Sequence, residues 1–144
     1  MSTEEGKALV RRLLARVFDE ANPAAADELL APGYVYHAPG APEVRGADGY
    51  KRLVGAYLAA FPDLRLTVED QIAEGDKVAT RFTARGTHRG ELRGVAPTGR
   101  AMTATGIIIS RVAGGRVAEE WETFDALGML QQIGALPAPG QASG

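Results

Sequence analysis

The chain contains no cysteine, a single tryptophan (Trp121) and only two histidines, His37 and His88. Without cysteine there is no disulfide, no thiolate nucleophile, no cysteine zinc site and no iron–sulfur cluster. The two histidines form neither a His-x-His nor a His-x-x-x-His pair, so no metal is expected. Charge of one sign is also scarce. Sixteen basic and 18 acidic side chains leave a net charge of −2, and the arginines are scattered, which argues against a nucleic-acid partner. No apolar run approaches the roughly 20 residues that span a bilayer. Met1-Ser2-Thr3-Glu4-Glu5 is acidic and lacks the apolar core of a secretion signal. The expectation is a soluble, cytoplasmic protein with no membrane partner.

What is present suits one domain. A chain of 144 residues buries roughly 68–70% of its unfolded surface, enough for a core and a pocket. Residues 1–136 are read as that domain. Residues 137–144, rich in Pro, Gly and Ser, are expected to be a disordered tail.

Leu9, Val10, Leu13, Leu14, Val17 and Phe18 recur in pairs four apart, the stripe of an amphipathic helix. Ser2 and Glu5 fit a capping box, and Asn22-Pro23 ends the helix. A short helix over 24–30 follows, then a strand at Tyr34-Val35-Tyr36-His37. Residues 38–46 read as a loop, and Ala47–Phe61 as a second amphipathic helix ended by Pro62-Asp63. From Leu64 the period changes to two. Turns at Glu74-Gly75-Asp76 and Gly114-Gly115 separate long strands, the last running from Arg116 to Phe124. A short helix from Asp125 to about Ile133 closes the domain. The order predicts an α+β fold, a curved and mostly antiparallel sheet with helices packed on one face. Gly86 and Gly106 are candidate bulges that bend it.

Gly94-Val95-Ala96-Pro97-Thr98-Gly99 has phosphate-loop spacing, but Arg100-Ala101 replaces Lys-Ser/Thr and a strand follows, so the motif is rejected. Among the remaining candidates, Trp121, Thr123 and Asp125 share one face of the last strand, and Glu120, Glu122 and Phe124 share the other. If Trp121 points inward, Asp125 does too, as a desolvated carboxylate; the alternative is an Asp125 that only caps the last helix. His37 is placed at a pocket rim or in an exposed loop. His88 is placed at the pocket or as a residue that fixes the Gly-rich connection. Arg81 is an inner anion anchor or a surface arginine. Tyr34, Tyr36, Tyr57, Phe61 and Trp121 line an aromatic pocket or simply pack the core.

These segments carry a resemblance. Tyr34-Val35-Tyr36-His37-Ala38-Pro39-Gly40, Phe61-Pro62-Asp63, Gly86-Thr87-His88-Arg89-Gly90-Glu91-Leu92, Pro97-Thr98-Gly99-Arg100 and Glu119–Gly134 resemble the SnoaL-like polyketide cyclases, or ester cyclases, of the nuclear transport factor 2-like superfamily. The resemblance covers about residues 5–136. It implies a cone-like α+β barrel with a deep hydrophobic pocket, in a homodimer or homotetramer packed through the open sheet face. It implies cofactor-independent aldol ring closure on a polyketide-type carbonyl compound, with an aspartate after the last strand as general acid/base. Asp125 matches that position, with His37 and His88 as helpers. Trp121, Tyr36, Phe61, Tyr57, Arg81, Thr105 and Ile107 are the expected substrate contacts. The strand Thr105-Gly106-Ile107-Ile108-Ile109 departs from the polar pattern of known cyclases. Other readings on this scaffold are an epoxide hydrolase, an isomerase or a non-catalytic ligand-binding module.

Overall fold

The computed structural model describes residues 1–137 and 140. Helix α1 (Thr3–Leu14) starts at the expected capping box: Ser2 accepts from the Glu5 backbone and Glu5 reaches back to Ser2. It ends in a π-helical turn, Ala15–Asp19, that sets the Asp19 carboxylate to accept from the Leu66 backbone at 2.9 Å. A 3₁₀ turn (Pro23–Ala25) and α2 (Ala26–Leu29) lead into β1 (Leu30–His37), which begins four residues before the predicted strand. Within the predicted 38–46 loop lies a two-residue strand, β2 (Val44–Arg45). It then gives way to α3 (Gly46–Ala60), β3 (Arg65–Glu74), β4 (Lys77–Thr87), β5 (Ala101–Ala113), β6 (Arg116–Phe124) and α4 (Ala126–Gln132). The tail expectation falls mostly on residues 138, 139 and 141–144, outside the described residues.

The six strands form one curved, open sheet in the order β2-β1-β6-β5-β4-β3. All neighbours are antiparallel except β1 and β6, which run parallel. This is the predicted α+β class. Leu9, Val10, Leu13 and Val17 from the α1 segment and Tyr50 and Val54 from α3 are buried in one core with Phe82, Met102 and Ile108 of the sheet. Each such side chain contributes roughly 1.5–3 kcal/mol of burial. The other sheet face carries no helix residues in that core and is left open.

Gly86 and Gly106 are not bulges, because the β4–β5 ladder runs through both without a register shift. Their job is to make room for rings. A Cβ on Gly106 would lie 2.5 Å from the Phe82 ring and 2.7 Å from Phe124 Cβ, and one on Gly86 would lie 3.0 Å from Phe61. The register shifts of the sheet fall instead at Leu30/Val35, Val68/Asp70 and Arg111/Val112.

Candidate functional site

Between the helices and the covered sheet face lies a cavity of about 70 Å³. Its walls are mostly apolar, with Leu14, Val54, Phe82, Ile108, Phe124 and Met129 among them. The π-helical turn contributes here, since Phe18 joins Leu14 on the lining. Five polar side chains reach the same space: Tyr36 from β1, Tyr50 and Tyr57 from α3, and Glu120 and Glu122 from β6.

The two carboxylates differ in what holds them. Glu120 is 2% exposed, and both its oxygens accept hydrogen bonds, one from Tyr34 at 2.7 Å and one from Ser110 at 2.6 Å. Glu122 accepts from the Tyr36 hydroxyl at 2.6 Å through Oε1. Its Oε2 has no hydrogen-bond partner among the described residues. Burial raises the pKa of both carboxyls, and the hydrogen bonds oppose that rise without cancelling it. For Glu122, burial and the nearby Glu120 together push the value up to about 7. Tyr34 and Tyr36 are themselves pushed well above the ordinary phenol value, by burial first and by their carboxylate partners second. They remain proton donors throughout the neutral range.

The facing of β6 is the reverse of the expectation. Glu120, Glu122 and Phe124 look into the cavity, while Trp121, Thr123 and Asp125 lie on the exposed side. A strand's faces exchange completely when its phase is misread by one residue. The phase adopted here is stabilised because Tyr34, Tyr36 and Ser110 supply hydroxyls to the buried carboxylates, which would otherwise be costly to desolvate. Trp121 instead stacks on His37 with ring centroids 5.5 Å apart and planes 13° apart, and Lys77 sits over its ring at 5.9 Å.

Asp125 is exposed and accepts from the Gly128 backbone at 2.9 Å as the N-cap of α4. It does not line the cavity. His37 is also away from it, with Nε2 bonded to Glu119 at 2.7 Å and Nδ1 3.7 Å from Glu43. That bond, foremost, holds the Glu119 carboxyl below its usual range. Arg81, Thr105 and Ile107 are all exposed on the open face, where Arg81 pairs in register with Ile107 and Thr83 with Thr105. Phe61 is fully buried, but it packs beside His88 at 5.7 Å rather than lining the cavity. Only Tyr36 and Tyr57 of the expected contacts stand at the cavity.

His88 is fully buried and fixes the β4–β5 connection. Its backbone bonds both Arg100 and Gly99, and its Nδ1 accepts from the Thr98 backbone at 3.2 Å. The ring proton therefore sits on Nε2, a buried atom with no hydrogen-bond partner among the described residues. Among the described residues, no group of three or more His, Asp or Glu could hold a metal ion, and no helix is long and apolar enough to cross a membrane.

Comparison with known proteins places this cavity in context. Residues 8–133 match the family model for SnoaL-like polyketide cyclases. The aklanonic acid methyl ester cyclase DnrD of Streptomyces peucetius is 30% identical over 108 residues, 74% of this chain and 72% of that protein. Among solved structures, AclR from Streptomyces galilaeus, a proposed hydroxylase, superposes with a TM-score of 0.86 at 34% identity, covering 95% of this chain and 85% of AclR. IdmH from Streptomyces antibioticus, a proposed polyketide cyclase, superposes with a TM-score of 0.77 at 36% identity, covering 90% of this chain and 98% of IdmH.

Proposed function

Because the chain belongs to the SnoaL-like polyketide cyclase family, we propose that it catalyses cofactor-independent aldol ring closure, or the related proton transfer, on a hydrophobic polyketide-type carbonyl compound, with Glu122 as general acid/base. One observation carries the reading. Glu122 keeps one oxygen fixed by Tyr36 and presents the other, without a partner among the described residues, to an apolar cavity.

The chemistry follows from that placement. A carbon between two carbonyls loses a proton to Oε2, and the resulting enolate spreads its charge over the substrate's own oxygens. The enolate carbon attacks a second carbonyl carbon of the same molecule, forming the ring bond and leaving an alkoxide. The proton held by Glu122 then neutralises that alkoxide and restores the carboxylate. A carboxyl group near pKa 7 suits both halves of the cycle at neutral pH. Glu120 acts behind it as a positioning residue, its charge raising Glu122 while Tyr34 and Ser110 hold it still.

A cavity of about 70 Å³ is well below the roughly 300–1,000 Å³ of drug-sized ligand sites. Substrate entry therefore requires the lining to yield. Met102 and Met129 are suited to this, being unbranched and readily rotated. The epoxide-hydrolase alternative needs an arginine beside the acid, and Arg81 lies on the opposite face of the sheet.

Assembly belongs to the same proposal. The open face carries Ile72, Ile107, Ile109 and Trp121 at 70%, 50%, 40% and 37% exposure. Ile72, Ala79, Ile109, Trp121 and His37 follow one another in register across five strands. Lys77, Arg111 and Glu119 line one side of this row and Asp70 and Arg81 the other. Both signs of charge beside a continuous apolar row suit a second copy of the same chain, in a cytoplasmic homo-oligomer.

The test of the catalytic reading is Glu122→Gln. It keeps the size and the Tyr36 contact but removes the base. Exchange of the acidic C–H of a β-keto ester into heavy water, followed by NMR, should slow by roughly 10²–10⁴-fold relative to the native protein. Unchanged exchange in a folded Glu122→Gln protein would leave a ligand-binding module as the better description.

A further inference from the structure

The cavity holds three tyrosines, and their hydroxyls are not equivalent. Tyr36 is engaged by Glu122. Tyr50 is 4% exposed and sits close enough to both Glu120 and Glu122 that their charges disfavour any negative charge near it. Tyr57, one helical face and seven residues along α3, is different. Its oxygen accepts from the Arg93 guanidinium at 3.4 Å, and its O–H finds no acceptor among the described residues. Its ring is held edge-on against Phe124 at 6.1 Å, which fixes where the hydroxyl can point.

Arg93 reaches that position at a backbone cost. It has a φ of +48°, one of two non-glycine residues with positive φ among the described residues, in a region disfavoured by roughly 1–2 kcal/mol for an L-residue. Paired backbone bonds between Leu92 and Val95, at 3.1 and 2.8 Å, hold the tight turn that contains it. The turn thus holds an exposed, strained arginine against the hydroxyl of a tyrosine that lines the cavity.

Resting on the reading of Glu122 as the base, we propose that Tyr57 is the oxyanion donor of this site and that Arg93 is the positioning residue that polarises it. The base stands on β6 and the donor on α3, so a substrate between sheet and helix offers its C–H to Glu122 and its carbonyl oxygen to Tyr57. No bond to Tyr57 breaks. Its O–H shortens onto the oxygen as that atom gains charge, and the adjacent guanidinium makes it a better donor by drawing electron density from the phenol oxygen. Burial raises the Tyr57 pKa while Arg93 opposes the rise, so the group remains protonated and available. Charge-assisted donors of this kind act only where charge develops, which is what favours the transition state over the ground state.

The experiment uses equilibrium binding of small substituted phenols of similar size and graded acidity, whose phenolates mimic the enolate. At pH 8, in the Glu122→Gln protein, affinity should rise along the series as the phenol becomes more acidic. Adding Tyr57→Phe should weaken the most acidic phenol roughly tenfold, the weight of one hydrogen bond to a charged group, and flatten the dependence on acidity. Adding Arg93→Ala should reduce the slope in part, and Arg93→Lys should restore some of it. Equal weakening of every phenol by Tyr57→Phe would mean packing alone and would overturn the proposal, as would an unchanged slope. Binding needs no turnover, so this result stands apart from that of the exchange assay. An active Glu122→Gln protein with an intact phenol slope would sink the base and keep the donor; an inert one with a flat slope would do the reverse.

Discussion

The Tyr36 hydroxyl lies 2.6 Å from Glu122 Oε1 and donates to it. The neighbouring pair, Tyr34 and Glu120, repeats the relationship at 2.7 Å two residues back along both strands. Parallel pairing of β1 with β6, with Tyr36 opposite Glu120, puts two phenols beside two carboxylates on the same face. The result is a polar seam across an otherwise apolar floor, in which Glu122 keeps one oxygen without a partner among the described residues.

Removing the Tyr36 donor separates the two influences on Glu122. The hydrogen bond favours the charged carboxylate, whereas burial opposes it. In Tyr36→Phe the pKa should therefore rise above its native value of about 7. The acid limb of the kcat/KM–pH profile moves upward with it, and activity at pH 7 falls several-fold while recovering at higher pH. A limb that stays in place would mean that another group titrates in the reaction.

Stability should respond to Glu122 in the opposite sense from an ordinary paired carboxylate. Its folded pKa is raised above the value of 4.5 expected when exposed. Between about 4.5 and 7 the native state therefore holds more protons than the unfolded chain, and stability falls as pH rises. Above that window the penalty is complete, on the order of 3 kcal/mol. Glu122→Gln should raise the thermal midpoint at pH 8 and make little difference at pH 4. Denaturation across that range, followed by circular dichroism, reads the convergence directly, and a constant offset at all pH values would contradict it.

Much of the scaffold was legible in the residues, as were Tyr36 and Tyr57 of the cavity wall, but its two carboxylates were not, for one physical reason. The Ser2/Glu5 box, the i, i+4 stripe of α1 and the double-glycine turn each specify local geometry through local chemistry, and each stands where expected. Period-two alternation also grouped the residues of β6 correctly. What alternation cannot supply is which group faces the core, because that depends on partners distant in sequence. A lone tryptophan suggests the inside by hydrophobicity; two glutamates suggest the outside. The balance turns on Tyr34, Tyr36 and Ser110, whose hydroxyls make burial of two carboxylates tolerable. The equal spacing of Tyr34/Tyr36 and Glu120/Glu122 was a signal available in advance, though only once β1 and β6 are known to pair. His88 illustrates the other limit. It sits in a family-like Gly-Thr-His segment, yet its ring serves the loop that follows.

The open sheet face makes a separate prediction about assembly. Trp121→Glu or Ile109→Asp places a charge within the apolar row while leaving the covered face untouched. Sedimentation should show an oligomeric native protein and a monomeric variant of unchanged secondary structure. A native protein already monomeric at high micromolar concentration would remove the case for self-association through this face.

The Asp125 side chain caps α4 through Gly128. Asn caps about as well as Asp, whereas Ala loses the bond and costs roughly 1 kcal/mol. Asp125→Asn should therefore be nearly neutral in both stability and turnover, and Asp125→Ala should lower the thermal midpoint by a few degrees without changing kcat per folded molecule. The helix it starts supplies Met129 to the cavity wall, so a modest rise in KM for Asp125→Ala fits a looser wall. Loss of kcat in a fully folded Asp125→Asn protein does not, since a cap is preserved there and only an ionisable group is gone. That outcome would transfer the acid/base role from Glu122 to Asp125, and it would require the two carboxylates to exchange environments during turnover.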